Sequence, residues 1–186
     1  CRATGTRRCR GCMCMKNEIE GDGDMSNVIM MCGVCGSGKT TFAMEKEKEG
    51  YVRLSIDEEL WQTCGQYGVD YQQEAYEELP LAAEERLCRR MTELIRAGKN
   101  VVLDFSFWNR DNRERYRKLI AEAGATYQLV YMKADKEVLR KRLAIRNQAI
   151  HANSSFAITD EILEHHYNSF QEPLEDETPL LLVQSE

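Results

Sequence analysis

"NVIMMCGVCGSGKTT", residues 27–41, decides how the rest of the chain is read. From Asn27 to Gly33 it is a short, continuous apolar run ending in glycine, the pattern of a strand buried on both faces. From Gly33 to Thr40 it fits G-x-x-x-x-G-K-[ST] without a departure, after an apparent strand and opening an apparent helix. Glycines at those positions let backbone N–H groups curl around a phosphate, and the helix N-terminus adds its partial positive charge. The stretch therefore predicts a nucleotide polyphosphate held by Gly33, Cys35, Gly36, Ser37, Gly38, Lys39, Thr40 and Thr41. Lys39 is expected to reach the β and γ oxygens, and the Thr40 hydroxyl to ligate magnesium. The loop leaves open which group receives the phosphate, or whether water does.

Outward from this stretch, helical and extended patterns alternate. A helix over about 39–49 stops near Gly50, and "YVRLSID" (51–57) alternates Val52, Leu54 and Ile56 against Arg53, Ser55 and Asp57, as a second strand does. From Tyr71 to Ala97 the pattern is helical, interrupted by Pro80. Leu87, Met91, Leu94 and Ile95 share one face, and Gly98 supplies the stop. "NVVLDF" (100–105) reads as a third strand. Asp111 with Glu114 three residues on reads as a capping box, opening a helix that buries Tyr116, Leu119, Ile120 and Ala123. "YQLVYMK" (127–133) is a fourth strand, 135–146 a helix, 147–158 a loop, 160–170 a helix, and "LLLV" (180–183) a fifth strand. Strands alternating with helices predict an α/β fold, a parallel sheet with helices on both faces.

At 186 residues the chain reads as one domain with a tail, long enough to bury a core. Charged residues make up 30% and the net charge is −6, so no global charge draws it to nucleic acid or anionic membrane. No apolar run approaches the ~20 residues that cross a bilayer. No signal peptide is legible, and a cytoplasmic location is expected. Four of the eight cysteines, Cys1, Cys9, Cys12 and Cys14, fall in an arginine-rich start. Cys9, Cys12 and Cys14 lack the second ligand pair of a zinc knuckle. Residues 1–25 are read as a disordered extension, with "EGDGD" (20–24) a solvated linker, and 26–186 as the folded domain. Cys32 and Cys35 form a C-x-x-C, but at a strand end and inside the phosphate loop, where a redox role is disfavoured. Cys64 and Cys88 read as small core residues.

Three further groups carry candidate chemistry. Asp104 stands at the C-terminal end of "VVLD", and α/β ligands bind outside such strand ends, so it is a magnesium candidate beside Thr40, with a helix cap or a surface turn as its rival. Asp57 ends the second strand in the same way and is a candidate general base toward an acceptor hydroxyl, the rival being a solvated acidic helix start with Glu58 and Glu59. On the helix 135–146, Val138, Leu139, Leu143 and Ile145 define an apolar stripe that also contains Arg142 and Arg146. Arginines on such a face either snorkel or pair with an acid, or reach over phosphates. Phe105, Phe107 and Trp108 follow Asp104, with Trp108 and Arg113 expected on the acceptor side. His151, His165 and His166 show no metal spacing and read as lid and helix-surface residues.

"GVCGSGKTT", "LSID", "VVLDFSFWNRDNR" and "VLRKRLAIR" together resemble the small P-loop kinase family over about Val28 to Val183. That family takes in AAA-type ATP-binding proteins, the kinase domain of polynucleotide kinase, chloramphenicol phosphotransferase and zeta toxins. The resemblance implies a P-loop NTPase three-layer α/β/α sandwich, its five parallel strands in the order 2-3-1-4-5, with a small helical lid at about 142–158. It implies ATP (or GTP) and Mg2+, and transfer of the γ-phosphate to a hydroxyl. By the same resemblance Asp57 activates that hydroxyl and Arg142 or Arg146 grips the phosphates. Polynucleotide kinases carry an arginine where this chain has Leu60, so nucleic acid is disfavoured as a partner. The expected acceptor is a small hydroxylated compound, a metabolite, nucleoside-like compound or antibiotic, acted on by a monomer or homodimer with no membrane partner. A polynucleotide 5′-hydroxyl kinase and an ATP-binding switch or ATPase without acceptor are the alternatives.

Overall fold

Strands and helices alternate through residues 25–65, 70, 78–148, 152 and 157–184, which the computed structural model describes. The arginine- and cysteine-rich start, residues 71–77 of the helical pattern expected over 71–97, and the middle of the expected lid (149–151 and 153–156, with His151) lie outside the described residues. In chain order the elements are β1 (Asn27–Cys32), α1 (Lys39–Lys48), β2 (Val52–Ser55), α2 (Ile56–Cys64), α3 (Glu78–Arg96), β3 (Val101–Asp104), α4 (Arg110–Glu122), β4 (Thr126–Ala134), α5 (Lys136–Arg146), α6 (Asp160–Ser169) and β5 (Leu180–Gln184). The five strands form one parallel sheet in the order β2-β3-β1-β4-β5, as expected from the resemblance.

The sheet is held from both sides by the apolar content of its central strands. β1 sits in the middle, with Met30 opposite Leu103 of β3 and Leu129 of β4. On one face Val28, Met30, Leu54 and Leu103 meet Leu87, Met91 and Ile95 of α3 and Tyr116 and Ile120 of α4. On the other, Ile29, Met31, Val102, Val130 and Met132 close over Ala43 of α1. A smaller cluster, Leu139, Leu143, Ile158 and Leu163, joins α5 to α6. Because β1 and β3 are covered on both faces, their sequences are apolar without alternation.

Three local readings are corrected. The second strand stops at Ser55, whose hydroxyl caps a new helix by accepting from the Glu58 N–H at 3.4 Å, so Asp57 lies in the first turn of α2 and not at a strand end. The cap of α4 is Asn109, accepting from the Asn112 N–H at 2.7 Å, and Asp111 sits inside the first turn. Pro80 is the third described residue of α3, and residues 71–77 before it, on which the expected interruption turns, lie outside the described residues. Along α5 only Leu139 and Leu143 are buried; Ile145 is 71% exposed, so the apolar stripe is narrower than the spacing suggests. No helix among the described residues is long and apolar enough to cross a membrane.

Candidate active site

The site starts where β1 ends. Gly33 takes φ +147°, and a Cβ there would stand 2.5 Å from the Met132 carbonyl oxygen of β4 and 2.7 Å from Ser37 Oγ, so the turn off the sheet admits only glycine. The Gly33 N–H donates to Ser106 O at 3.2 Å, which ties the loop to the segment after β3. Gly38, at φ +100°, releases the chain into α1. The Lys39 ammonium folds back and donates to Gly33 O at 2.8 Å and Val34 O at 2.9 Å. Burial lowers its pKa, while the Asp104 carboxylate, Cys35, Cys32 and Asp57 act in the opposite direction.

Whether this loop fits a phosphate can be tested on its own atoms. Ser37 Oγ is buried with no hydrogen-bond partner, the one such side-chain atom among the described residues. A buried hydroxyl left unpaired is uncommon and points to a group that completes it. It stands inside a cradle bounded by glycines at positive φ and opening onto a helix N-terminus, so the residues fit a polyphosphate. Thr41, in the first turn of α1, is exposed.

Asp104 ends β3 beside this loop, and one of its oxygens, Oδ1, accepts from the Thr40 hydroxyl at 3.3 Å. Among the described residues no group of three or more His, Cys, Asp or Glu side chains could cage a metal. One hydroxyl and one carboxylate oxygen instead suit magnesium, which keeps waters and shares phosphate oxygens in place of a full protein cage. The other Asp104 oxygen is held by a residue that no motif in the sequence points to. Arg53 of β2 places Nε at 3.1 Å and a terminal nitrogen at 3.0 Å from Asp104 Oδ2, and its remaining nitrogen at 2.8 Å from Glu58 Oε2. Its side chain is 4% exposed. The pairing follows from the register of Ser55 on Asp104, with Arg53 two residues back on the same face of β2.

Asp57 faces the same charges. The residue as a whole is exposed, yet desolvation by the protein around its carboxyl raises its pKa; Asp104 raises it further, and Arg146, Lys39 and Arg53 pull it down. The structure thus brings Asp57 within electrostatic reach of Lys39, Asp104 and Arg146. Arg142, one turn earlier on α5, has a terminal nitrogen 3.9 Å from where a Gly38 Cβ would stand, so it lies over the phosphate loop. Both arginines are half-buried.

The aromatic segment divides. Phe105 and Phe107 are core residues, stacked on each other at 5.6 Å and edge-on to Tyr116. Phe107 takes φ +42°, an unusual angle for a bulky residue, and turns the chain so that Trp108 points out, 46% exposed. Arg113, expected on the acceptor side, is instead committed inside the fold. Its guanidinium donates to both oxygens of Glu177 at 2.6 and 3.0 Å, to Phe107 O at 3.0 Å and to Gln171 O at 2.9 Å. His166, read as a surface residue, has Nδ1 at 3.6 Å from the Cys35 sulfur, so α6 touches the phosphate loop. Burial raises the Cys35 pKa, with Lys39 and Arg146 opposing, and it lowers that of His166.

No curated protein matches the chain. Solved structures share its fold. A candidate kinase from Chloroflexus aurantiacus superposes with a TM-score of 0.64 at 20% identity, over 87% of this chain and 89% of its own. A gluconokinase from Sinorhizobium meliloti 1021 gives 0.58 at 16% identity, over 86% and 83%. A sugar kinase from Janibacter sp. HTCC2649 gives 0.56 at 19% identity, over 87% and 86%. Residues 28–173 match the family model described as an AAA domain, and the chain, with its parallel sheet and glycine-rich loop, belongs to that family.

Proposed function

We propose that the protein is a phosphotransferase that moves the γ-phosphate of ATP to a hydroxyl of a small molecule. The observation that carries this reading is the position of Asp57, in electrostatic reach of Lys39, Asp104 and Arg146 at the phosphate loop. A nucleotide switch needs a phosphate loop and a metal carboxylate; a second carboxylate beside them has a task only when an acceptor must lose a proton.

In this reading Lys39 leaves its two loop carbonyls for the β and γ oxygens. Thr40 and Asp104 would hold magnesium, and the ion would supply charge neutralisation at the phosphates. Asp57 takes the proton of the acceptor hydroxyl as its oxygen bonds to the γ-phosphorus and the bond to the β-phosphate oxygen breaks, leaving ADP. Arg146 and Arg142, from the last turns of α5, offset the negative charge of the phosphoryl group in flight. Trp108 is exposed two residues after Ser106, whose carbonyl takes the Gly33 N–H, and both side chains are available to an acceptor.

The acceptor is a metabolite, a nucleoside-like compound or an antibiotic, in keeping with the sugar kinase and gluconokinase among proteins of this fold. Leu60, buried in α2, stands where polynucleotide kinases carry an arginine, which disfavours a polynucleotide acceptor. The test is incubation with γ-labelled ATP, magnesium and pools of sugars, sugar acids, nucleosides and hydroxylated antibiotics. Label is expected in a member of one pool with the wild-type chain and in none with Lys39→Ala. Release of label as free phosphate at one rate whatever the pool would make the protein an ATPase.

A further inference from the structure

Arg53 has no part in the transfer just described, yet its side chain is almost as enclosed as that of Asp104, 4% against 3% exposed. Two of its nitrogens converge on a single oxygen of Asp104, Oδ2, at 3.1 and 3.0 Å, and a third is fixed by Glu58 at 2.8 Å. The other Asp104 oxygen, Oδ1, is turned to Thr40 at 3.3 Å. The carboxylate is therefore two-sided, one oxygen occupied by a guanidinium and one facing the hydroxyl proposed to share the cation.

We infer that Arg53 is a positioning residue that makes cation binding at Thr40 and Asp104 depend on nucleotide. By holding Oδ2 it presents only Oδ1 toward the phosphate loop, and by offsetting the carboxylate's charge it leaves little attraction for a dication that arrives alone. Screening is weak here because both side chains are nearly enclosed, 4% exposed for Arg53 and 3% for Asp104. A cation arriving on a phosphate chain brings anionic oxygens with it and needs only the single protein oxygen and the Thr40 hydroxyl. Glu58 keeps the guanidinium from swinging toward those phosphates. Since Glu58 adjoins Asp57 in the first turn of α2, one arginine also sets the metal carboxylate against the proposed base. The inference rests on the assignment of Thr40 and Asp104 to the metal.

The test is a manganese titration of the full chain, free Mn2+ being counted by electron paramagnetic resonance, with and without ADP. Wild-type protein should bind Mn2+ about tenfold or more tighter with ADP present, and ADP should gain by the same factor from Mn2+. Arg53→Met removes the offsetting charge and should tighten nucleotide-free Mn2+ binding by roughly tenfold, shrinking that gap. Arg53→Lys keeps the charge and should keep the gap. Should Arg53→Met fail to fold by circular dichroism, Arg53→Gln, which keeps a donor to Asp104 without the charge, carries the same expectation. Nucleotide-free affinity that is unchanged or weakened in the charge-removing variant overturns the role of Arg53 and leaves the metal assignment standing. Absence of Mn2+ binding to the wild-type chain even with ADP overturns the metal assignment and this inference with it.

Discussion

Asp57 shows how one residue's environment sets its chemistry. Desolvation and the neighbouring Asp104 carboxylate raise its pKa above the ordinary 3.8, against the pull of Arg146, Lys39 and Arg53. A carboxylate with a raised pKa is protonated sooner as pH falls, so the base is lost at a higher pH than a free aspartate would lose it. The acid limb of kcat/KM is expected above 3.8, and a limb at or below that value would show that burial does not act on the base. Asp57→Asn keeps the shape and removes the basicity. Transfer should fall by roughly 10²-fold or more while ADP binding holds, measured by single-turnover label transfer and by calorimetry. Normal transfer by this variant would return the protein to the ATPase or switch reading. At this scale the shape of the loop, with Gly33, Gly36 and Gly38 at positive φ and Lys39 opening α1, was legible from spacing alone, because it is local. Arg53 was not, since its partner lies 51 residues away and is met only through strand register.

At the scale of elements, the ends were harder to read than the elements themselves. Ile56 continues the alternation of β2, and so the strand reads two residues too long. The competing signal was present in Ser55 and Glu58, three apart as an N-cap and its partner are, and the cap prevails. The same contest moves the cap of α4 from Asp111 to Asn109. Arg113 on α4 clamps the loop after β3 and the turn at Glu175–Glu177 into one unit. Burial raises the Glu177 pKa, but hydrogen bonds from Arg113 and the Leu174 N–H outweigh it and the net shift is downward. The stability this pair contributes is thus present above the usual carboxylate value of 4.5 and is lost as pH falls through the lower folded value. Arg113→Met leaves Glu177 without its partner and should cost about 3–5 kcal/mol in urea unfolding at neutral pH. The folded fraction should bind ADP as before; loss of binding by protein that remains folded would mean that Arg113 supports the nucleotide site.

On the scale of the whole molecule, the sheet order puts β1 between β3 and β4, so the phosphate loop opens at the centre, flanked by Asp104 and by the Met132 carbonyl that excludes a side chain at Gly33. A ligand that fills such a loop binds only the assembled fold and stabilises it by mass action. ADP with magnesium at roughly 100 times Kd should add about 2.7 kcal/mol and raise Tm by about 5–10 °C in a scanning measurement. Lys39→Ala should lose most of that shift while its own Tm stays near the wild-type value. A full shift in the variant would mean that the lysine does not face the phosphates.

The sequence by itself determined the alternation of elements, the buried central strands, the phosphate loop and its lysine, threonine and glycines, because each depends on side-chain periodicity or on a contact within a few residues. Tertiary structure alone decided which charges share the site. Arg53 meets Asp104 only when β2 lies beside β3, Arg142 reaches Gly38 only when α5 crosses the loop, and Arg113, whose fork would suit a substrate, is spent on Glu177. An arginine's task follows from the anion nearest to it in space, and for each of these that anion or loop is supplied by a different element.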